Sequence, residues 1–376
     1  MKELLYINDE LSSVFDSQVL SLLKWYQKNK VFSRIVLISG FRGKEQEASI
    51  ISKVPKGIEL FLFPLAPNFP VFNWLNSFRL RSCMAAAGAP NENTVVHLRG
   101  EMVALYYSGT GRYFFPQHTV ADIRGASLEE IELYYRENPL LKKIKLSNIQ
   151  KAIAKLNTYP FLSVVSSTLS DYLRKKGIGR STIEIVPCLS GEGFRFNAQE
   201  RDRVRKEMGL HDHDLVVVFS SAGSAGWQDT RIFQMFEDSG FKILNLSRRQ
   251  EQGKNVINAF VPYKDMPSYL SAADAAILFR EDNIVNRVAA PVKFSEYVCT
   301  GLPVLTNGNI DAVNHFIEKN QAGTIVRNPE DINFPEFSNR IQKSNMSAIS
   351  DAGIKEYGID AIAGKYLELY KKMFQE

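Results

Sequence analysis

The sequence predicts an α/β chain of two parallel-sheet domains. Three observations predict it. Short apolar runs alternate with amphipathic helical runs, the pattern of a parallel sheet wrapped by helices. The alternation restarts after a segment rich in glycine and turn residues at 187–196. The chain has 376 residues, more than one ordinary core employs, so two domains are expected.

In the first half, strands are expected at 4–7, 34–39 and 58–63. Residues 8–13 are polar and turn-like. A helix at 17–30 carries Val19, Leu22, Leu23 and Tyr26 at helical spacing. Residues 71–87 read as a helix with Trp74, Phe78, Arg79 and Arg81. Aromatics beside arginines suit a lipid interface, but a core helix with its arginines in water is the expectation we carry forward. Strands are expected at 94–98, 113–115 and 120–123. Those at 94–98 and 120–123 run into Arg-Gly pairs, Arg99-Gly100 and Arg124-Gly125. Ligands of parallel sheets collect at strand carboxyl ends, glycine lets a backbone approach closely, and arginine matches planar anions. Ser127 and Glu130 have capping-box spacing at the start of a helix to 137. A basic helix at 139–156, a strand at 161–165, a helix at 166–177 and a strand at 182–186 complete this half.

The second half repeats the pattern, with a helix at 199–210, a strand at 215–219 and a small-residue loop at 220–226. That loop sits where phosphates bind. It lacks the Lys-Ser/Thr of a P-loop and is not GxGxxG, and a tight turn explains it nearly as well. A helix at 227–238, a strand at 241–246, a helix at 265–272 and a strand at 274–279 ending in Arg280 follow. The run HDHD at 211–214 contains an Asp-x-Asp, but between a helix and a strand rather than at a strand's carboxyl end, so no metal site is expected there.

The run APVKFSEYVCTGLPV at 290–304 is the most informative. Pro291 suits a first helical turn. Phe294, Tyr297 and Val298 share one face, and Lys293 and Glu296, three apart, share another. Gly301 stops the helix, and 302–306 reads as a buried strand. A helix start favours phosphate through its free N–H groups and dipole. Lys293 adds a cation there, and Glu296 is placed to accept hydrogen bonds from a ribose diol. A solvated Lys–Glu pair accounts for the same two residues. The last helix is expected at 359–374, with Ile362, Tyr366, Leu369 and Tyr370 on one face.

Composition narrows the class. Hydrophobic residues make 45% and charged residues 23% of the chain, as in ordinary globular proteins. The three cysteines, Cys83, Cys188 and Cys299, are too dispersed for a disulfide framework or metal spacing and fit a reducing compartment. The apolar start breaks at Asn8, so no signal peptide is expected. No run approaches a membrane span. The net charge of +5 is uneven: residues 1–190 hold 24 Lys and Arg against 16 Asp and Glu. That basic half fits an anionic partner or an ordinary solvated surface. The histidines His97 and His118 read as structural side chains as readily as acids or bases.

Four blocks give the chain a resemblance to the GT-B glycosyltransferases, specifically the glycosyltransferase family 4-like group of bacterial surface-polysaccharide enzymes. They are VVHLRG (95–100) with ADIRG (121–125); VVS (164–166) with IVPC (185–188); VVFSSAG (217–223); and Ala273-Asp274 through PVKFSEY (291–297) to GLPV (301–304). The resemblance implies two Rossmann-like domains facing a cleft. Residues 1–190 would bind the acceptor, 191–358 the nucleotide-sugar donor, and a helix at 359–376 would cross back to the first domain. It implies retaining transfer without a metal or other cofactor, a nucleoside diphosphate sugar of UDP or GDP type as co-substrate, and no nucleic-acid partner. The Glu matching Glu296 holds the donor ribose in that group. A second Glu usual eight positions earlier is Val288 here, which puts the sugar contacts in doubt, with Arg280, Asn286 and Arg287 as substitutes.

The implied activity is a hexosyl transfer to a hydroxyl acceptor, a glycan or lipid-linked molecule, in capsule, O-antigen or exopolysaccharide assembly. The setting is cytoplasmic, with peripheral contact at the inner membrane face. Donor-binding residues are then Gly223, Ser224, Tyr263, Arg280, Pro291, Val292, Lys293 and Glu296. Tyr263 either meets the base or packs. Acceptor-binding residues are His97, Arg99, Glu101, Asp122 and Arg124. Arg280 and Lys293 stabilise the leaving diphosphate, and Asp122 orients the acceptor hydroxyl. A nucleotide-sugar epimerase on the same fold and a non-catalytic nucleotide-sugar-binding subunit are the alternatives.

Overall fold

The computed structural model describes residues 2–9, 14–221, 231–236 and 239–374. They form two compact units, Met1–Pro187 with Ala363–Glu376, and Cys188–Ile362. Each unit is built on one parallel sheet, as the alternation of runs predicts.

The first sheet has seven strands: β1 Glu3–Asn8, β2 Arg34–Phe41, β3 Glu59–Pro64, β4 Thr94–Arg99, β5 Thr119–Ile123, β6 Phe161–Val164 and β7 Thr182–Ile185. Their order is β3-β2-β1-β4-β5-β6-β7, all parallel. The central strands are covered on both faces, which is why they read as unbroken apolar runs. The order reverses between β1 and β4, the position at which ligands of such sheets collect.

The second sheet has six strands: β8 Val216–Phe219, β9 Lys242–Asn245, β10 Val256–Asn258, β11 Ala275–Leu278, β12 Val304–Thr306 and β13 Gly323–Ile325. The order is β10-β9-β8-β11-β12-β13, reversing between β8 and β11. Side-chain alternation divides its core in two. Val216 and Val218 pack in one cluster with Leu244, Tyr297 and Phe316. Val217 and Phe219 pack in another with Phe233, Ile243 and Phe337. The edge strands β10 and β13 escape the apolar-run reading, because each has three residues, none of them fully buried.

Three local expectations are corrected. Residues 113–115 form no strand. Gly111–Tyr113 is a 3₁₀ turn, and the Phe115 amide donates to the Tyr107 hydroxyl at 3.0 Å instead of to a sheet neighbour. Ser127 does not cap its helix: Ser127–Tyr134 begins after Ala126 with no side-chain cap. In the helix Asn73–Ala87, Leu80 and Met84 are buried, but Trp74 and Phe78 are 68% and 60% exposed rather than in the core. Its expected inner face is taken by Asn76, which receives the Ala66 amide at 2.9 Å.

The last helix, Ile359–Lys372, starts at the end of the second unit and finishes in the first. There Tyr370 lies 2.7 Å from the His97 ring nitrogen Nδ1, and Tyr366 packs edge-on to the same ring.

Candidate functional site

The second unit carries the donor candidates. After β11 the chain is fixed at Arg280 from two sides. The Arg280 amide donates to Asn307 Oδ1 at 3.1 Å, and its carbonyl accepts from Asn307 Nδ2 at 2.6 Å and Asn309 Nδ2 at 2.8 Å. Both asparagines follow β12, so the sheet register places this arginine. Arg280 is half-buried and forms no ion pair among the described residues, and its Nε is buried without a hydrogen-bond partner among them. Burial pushes the Arg280 pKa down, with Tyr297 opposing. A cavity of about 1050 Å³ borders it, lined also by Arg287, Asn307, Asn309 and Arg327. Glu281, Asp282 and Glu318 line the cavity as well, but a buried guanidinium nitrogen without a partner is costly, and an anion reaching Arg280 would relieve it.

The segment between Arg280 and the next helix is locked by its own polar groups. Asn283 caps the turn Ile284–Arg287, Asn286 Nδ2 donates to the Glu281 carbonyl at 2.9 Å, and Arg287 forms a forked pair with Asp282. Arg287 and Asn286, considered as substitutes for a second Glu, are thus held by neighbours. Val288 is fully buried, so that position serves packing.

The helix Val292–Cys299 follows. Pro291 stands at its N-cap with extended ψ (132°), one position before the first turn in which it was expected. Phe294, Tyr297 and Val298 are buried, as their spacing requires. Gly301 ends the element with φ +89°, a conformation costly for any other residue, and a Cβ there would lie 2.5 Å from the Met346 carbonyl oxygen. The Val292 and Lys293 amides belong to the first turn, where no intrahelical acceptor exists.

Glu296 is 1% exposed, an unusual position for a carboxylate. Its Oε2 accepts from Lys293 Nζ at 2.8 Å. Its Oε1 is buried with no partner at hydrogen-bond distance among the described residues. Burial raises the Glu296 pKa, while the Lys293 charge and the nearby Tyr263 hydroxyl oppose that rise. Tyr263 stands in the turn Tyr263–Asp265 with its ring 5.6 Å from Phe194, so it packs and faces Glu296 at once. Gly223 and Ser224 lie outside the described residues. Of that loop, Ser221 donates its amide to Ser247 Oγ at 2.9 Å.

The first unit gathers the acceptor candidates around one carboxylate. Asp122 is completely buried. Its Oδ2 accepts from Arg99 at 3.0 Å, and its Oδ1 accepts from Arg124 at 3.1 Å and from Ser163 Oγ at 2.9 Å. Burial alone would raise its pKa. Arg124, His97 and Arg99 outweigh burial and hold it well below the usual carboxylate range. The expected role of Asp122 at an acceptor hydroxyl is therefore replaced by a core ion-pair role: it is ionised, inaccessible and fully engaged. His97 is equally buried, stacked on Tyr6 at 4.4 Å, and burial holds it neutral. Gly100 at φ +94° turns the chain out of β4 while its amide donates to the Asp122 carbonyl at 2.9 Å. Arg124 also donates to the Val186 carbonyl at 3.2 Å. Both Arg-Gly pairs stand at strand ends, but their arginines turn inward.

Beside this group lies an acidic one that joins Glu101, expected at the acceptor, to Glu129 and Glu130, expected only at a helix start. Glu101 is buried and its pKa raised by burial. Glu130 is pushed up to about 7 by burial and by the Glu101 and Glu129 charges. Glu129 meets the Tyr172 hydroxyl and Lys176. The capping-box spacing drew Glu130 to a helix start and the strand end drew Glu101 to the acceptor, but no local signal pairs the two, because they come from different elements. The HDHD run is a locked turn, in which Asp214 accepts from the His211 amide at 2.7 Å and from Lys242 at 2.9 Å. Among the described residues no three His, Cys, Asp or Glu side chains are grouped to hold a metal, and no helix is long and apolar enough to cross a membrane.

No protein-family model matches the chain, and no curated protein matches it. Solved structures do. The Anabaena HepE complex with UDP-glucose aligns with a TM-score of 0.69 at 11% identity, over 99% of this chain and 100% of that one. A glycosyltransferase from Rickettsia africae aligns with a TM-score of 0.67 at 13% identity, over 99% of both chains. A putative UDP-N-acetylglucosamine 2-epimerase from Listeria monocytogenes aligns with a TM-score of 0.56 at 12% identity, over 98% of this chain and 96% of that one. At such identities the likeness establishes the fold, which is the two-domain Rossmann-like GT-B fold, along the whole chain.

Proposed function

We propose, from the GT-B fold, that this chain is a glycosyltransferase that moves a sugar from a nucleoside diphosphate sugar to a hydroxyl acceptor. One observation carries the reading: Glu296 is a buried carboxylate whose Oε1 has no partner at hydrogen-bond distance among the described residues, one turn from the helix start that holds Lys293. A buried acceptor atom without a donor calls for an explanation, and a ribose diol supplies two donors. In the free protein Lys293 neutralises Glu296. With donor bound, the diol replaces the ammonium, and Lys293 turns to the diphosphate with Arg280 and the Val292 amide. Pro291 sets the entry to that turn, and Tyr263 borders the ribose. Cations and amides in place before reaction stabilise charge as the diphosphate leaves.

No side chain is offered as a nucleophile. Departure and attack on one face, with retention, is the route we propose, without a divalent ion. The acceptor, a glycan or lipid-linked molecule of surface-polysaccharide assembly, would meet the first unit at the outer edges of Arg99 and Arg124. Asp122 and His97 position those arginines from beneath. The setting is the inner face of the cell membrane.

UDP-glucose and GDP-mannose are the first donors to titrate, with nucleoside diphosphate release measured with and without lipid-linked glycan. Acceptor-dependent release, insensitive to EDTA and giving an anomer of unchanged configuration, supports the proposal. Isomerised sugar without acceptor would support the epimerase reading that the Listeria neighbour keeps open. Binding without turnover would support a non-catalytic subunit.

A further inference from the structure

Among the described residues, the three most exposed large apolar side chains are Leu140 (72%), Trp74 (68%) and Val71 (67%), with Phe78 at 60%. All four fall in two stretches of the first unit that contain no Asp or Glu, 60–91 and 138–170. Val71, Trp74 and Phe78 are spaced i, i+3, i+7, so they lie along one side of the Pro70–Phe72 turn and the helix Asn73–Ala87. The helix Pro139–Lys155 packs beside them. Asn73 Nδ2 donates to Asn148 Oδ1 at 2.7 Å, and Lys145 stands 4.6 Å over the Phe69 ring. A groove of about 510 Å³ is lined by Trp74, Phe78 and Leu105 together with Arg81 and Lys155. The same helix adds Lys142, Lys143 and Lys151. The nearest acids in sequence are Glu59, Glu92, Glu137 and Asp171, each outside these stretches.

We infer that this flank docks on a lipid bilayer containing anionic lipids. Exposed aromatic and aliphatic side chains are the kind that enter the headgroup layer, tryptophan above all. Lysines and arginines around them attract a negative surface and reach it over their aliphatic stems. Neither stretch carries a carboxylate of its own, so the charge that they contribute is wholly positive and complements a polyanionic plane. The inference stands apart from the transfer reading, since it needs neither donor nor turnover.

The test is sedimentation of the full chain with vesicles of phosphatidylcholine alone and of phosphatidylcholine mixed with phosphatidylglycerol. The chain should pellet with the mixed vesicles and be released by salt, because exposed charges are screened beyond about 10 Å at 0.1 M. Trp74→Ser combined with Phe78→Ser should weaken pelleting roughly tenfold or more. Both side chains are exposed, so the variant should keep the wild-type melting curve and its UDP-glucose affinity. Lys142→Gln with Lys143→Gln should weaken pelleting on mixed vesicles only. Absence of pelleting by the wild type, or equal pelleting by the aromatic variant, would overturn the inference. So would a concentration-dependent dimer, abolished by the aromatic variant, in a chain that ignores vesicles.

Discussion

The two sheets present the same kinds of residue at their carboxyl edges and use them in opposite ways. In the first unit, Arg99, Asp122 and Arg124 close on one another, and both Asp122 oxygens are filled. In the second unit, among the described residues, Arg280 has no ion-pair partner and one buried Glu296 oxygen has no hydrogen-bond partner. A strand-end arginine is therefore no guide to binding until its partners are counted. Closure marks a structural element, and an open valence in a buried group marks a place for a ligand.

The largest effect should come from breaking the closed edge. Asp122→Asn would leave two mostly buried guanidiniums without their counter-charge. Breaking a buried pair by removing one partner costs about 3–5 kcal/mol. The thermal midpoint of the first unit should fall by several degrees, while UDP-glucose affinity at the second unit stays unchanged. Unaltered stability would show that the edge is not closed in solution.

The open edge should respond the other way. Glu296→Gln keeps the shape and an acceptor oxygen but loses the charge. Hydrogen bonds to charged groups contribute roughly 1.5–3 kcal/mol, so donor affinity should drop about tenfold or more by calorimetric titration. Lys293→Ala should lower turnover as well as affinity, because its charge counts most as the leaving group ionises. Wild-type values in both variants would make this an ordinary surface helix.

Arg280→Met sharpens the contrast. Among the described residues the guanidinium has no ion pair and its Nε no hydrogen-bond partner, so its replacement should leave the melting temperature unchanged or slightly raised, while donor affinity falls. Loss of stability with full donor affinity would move Arg280 to the closed class.

How much of this the sequence revealed follows from the same distinction. Alternating runs and the helix after Pro291 were legible, because each is set by local patterning and burial. The Arg-Gly pairs were legible as strand ends, but not as inward-turned, because Asp122, Ser163 and Val186 reach Arg99 and Arg124 only through sheet order. The exposure of Trp74 and Phe78 was hidden because their helix has apolar residues all round, and the Asn76–Ala66 contact decides which side is inner. Edge strands β10 and β13 lack the apolar length that marks a strand.

The smallest effect tests a group between the two classes. Glu130 stands beside Gly125 near the closed edge, and its carboxyl is pushed up to about 7 by burial, Glu101 and Glu129. Its ordinary value is 4.5. The folded chain thus holds this proton more tightly than the unfolded chain does. The resulting stability is fully present below pH 4.5 and is lost as pH rises through about 7. Above that, an ionised Glu130 faces two other carboxylates. Glu130→Gln stays neutral at every pH, so its stability should lack this slope. It should match the wild type near pH 4 and exceed it near pH 8 by on the order of 1–2 kcal/mol, allowing for partial solvent screening. Thermal melts across that range decide it. A constant offset between the two proteins would mean that Glu130 titrates as an ordinary surface acid. A wild type that gains stability as pH rises through 7 would mean that a cation compensates it, and the acidic group would then belong with the closed edge.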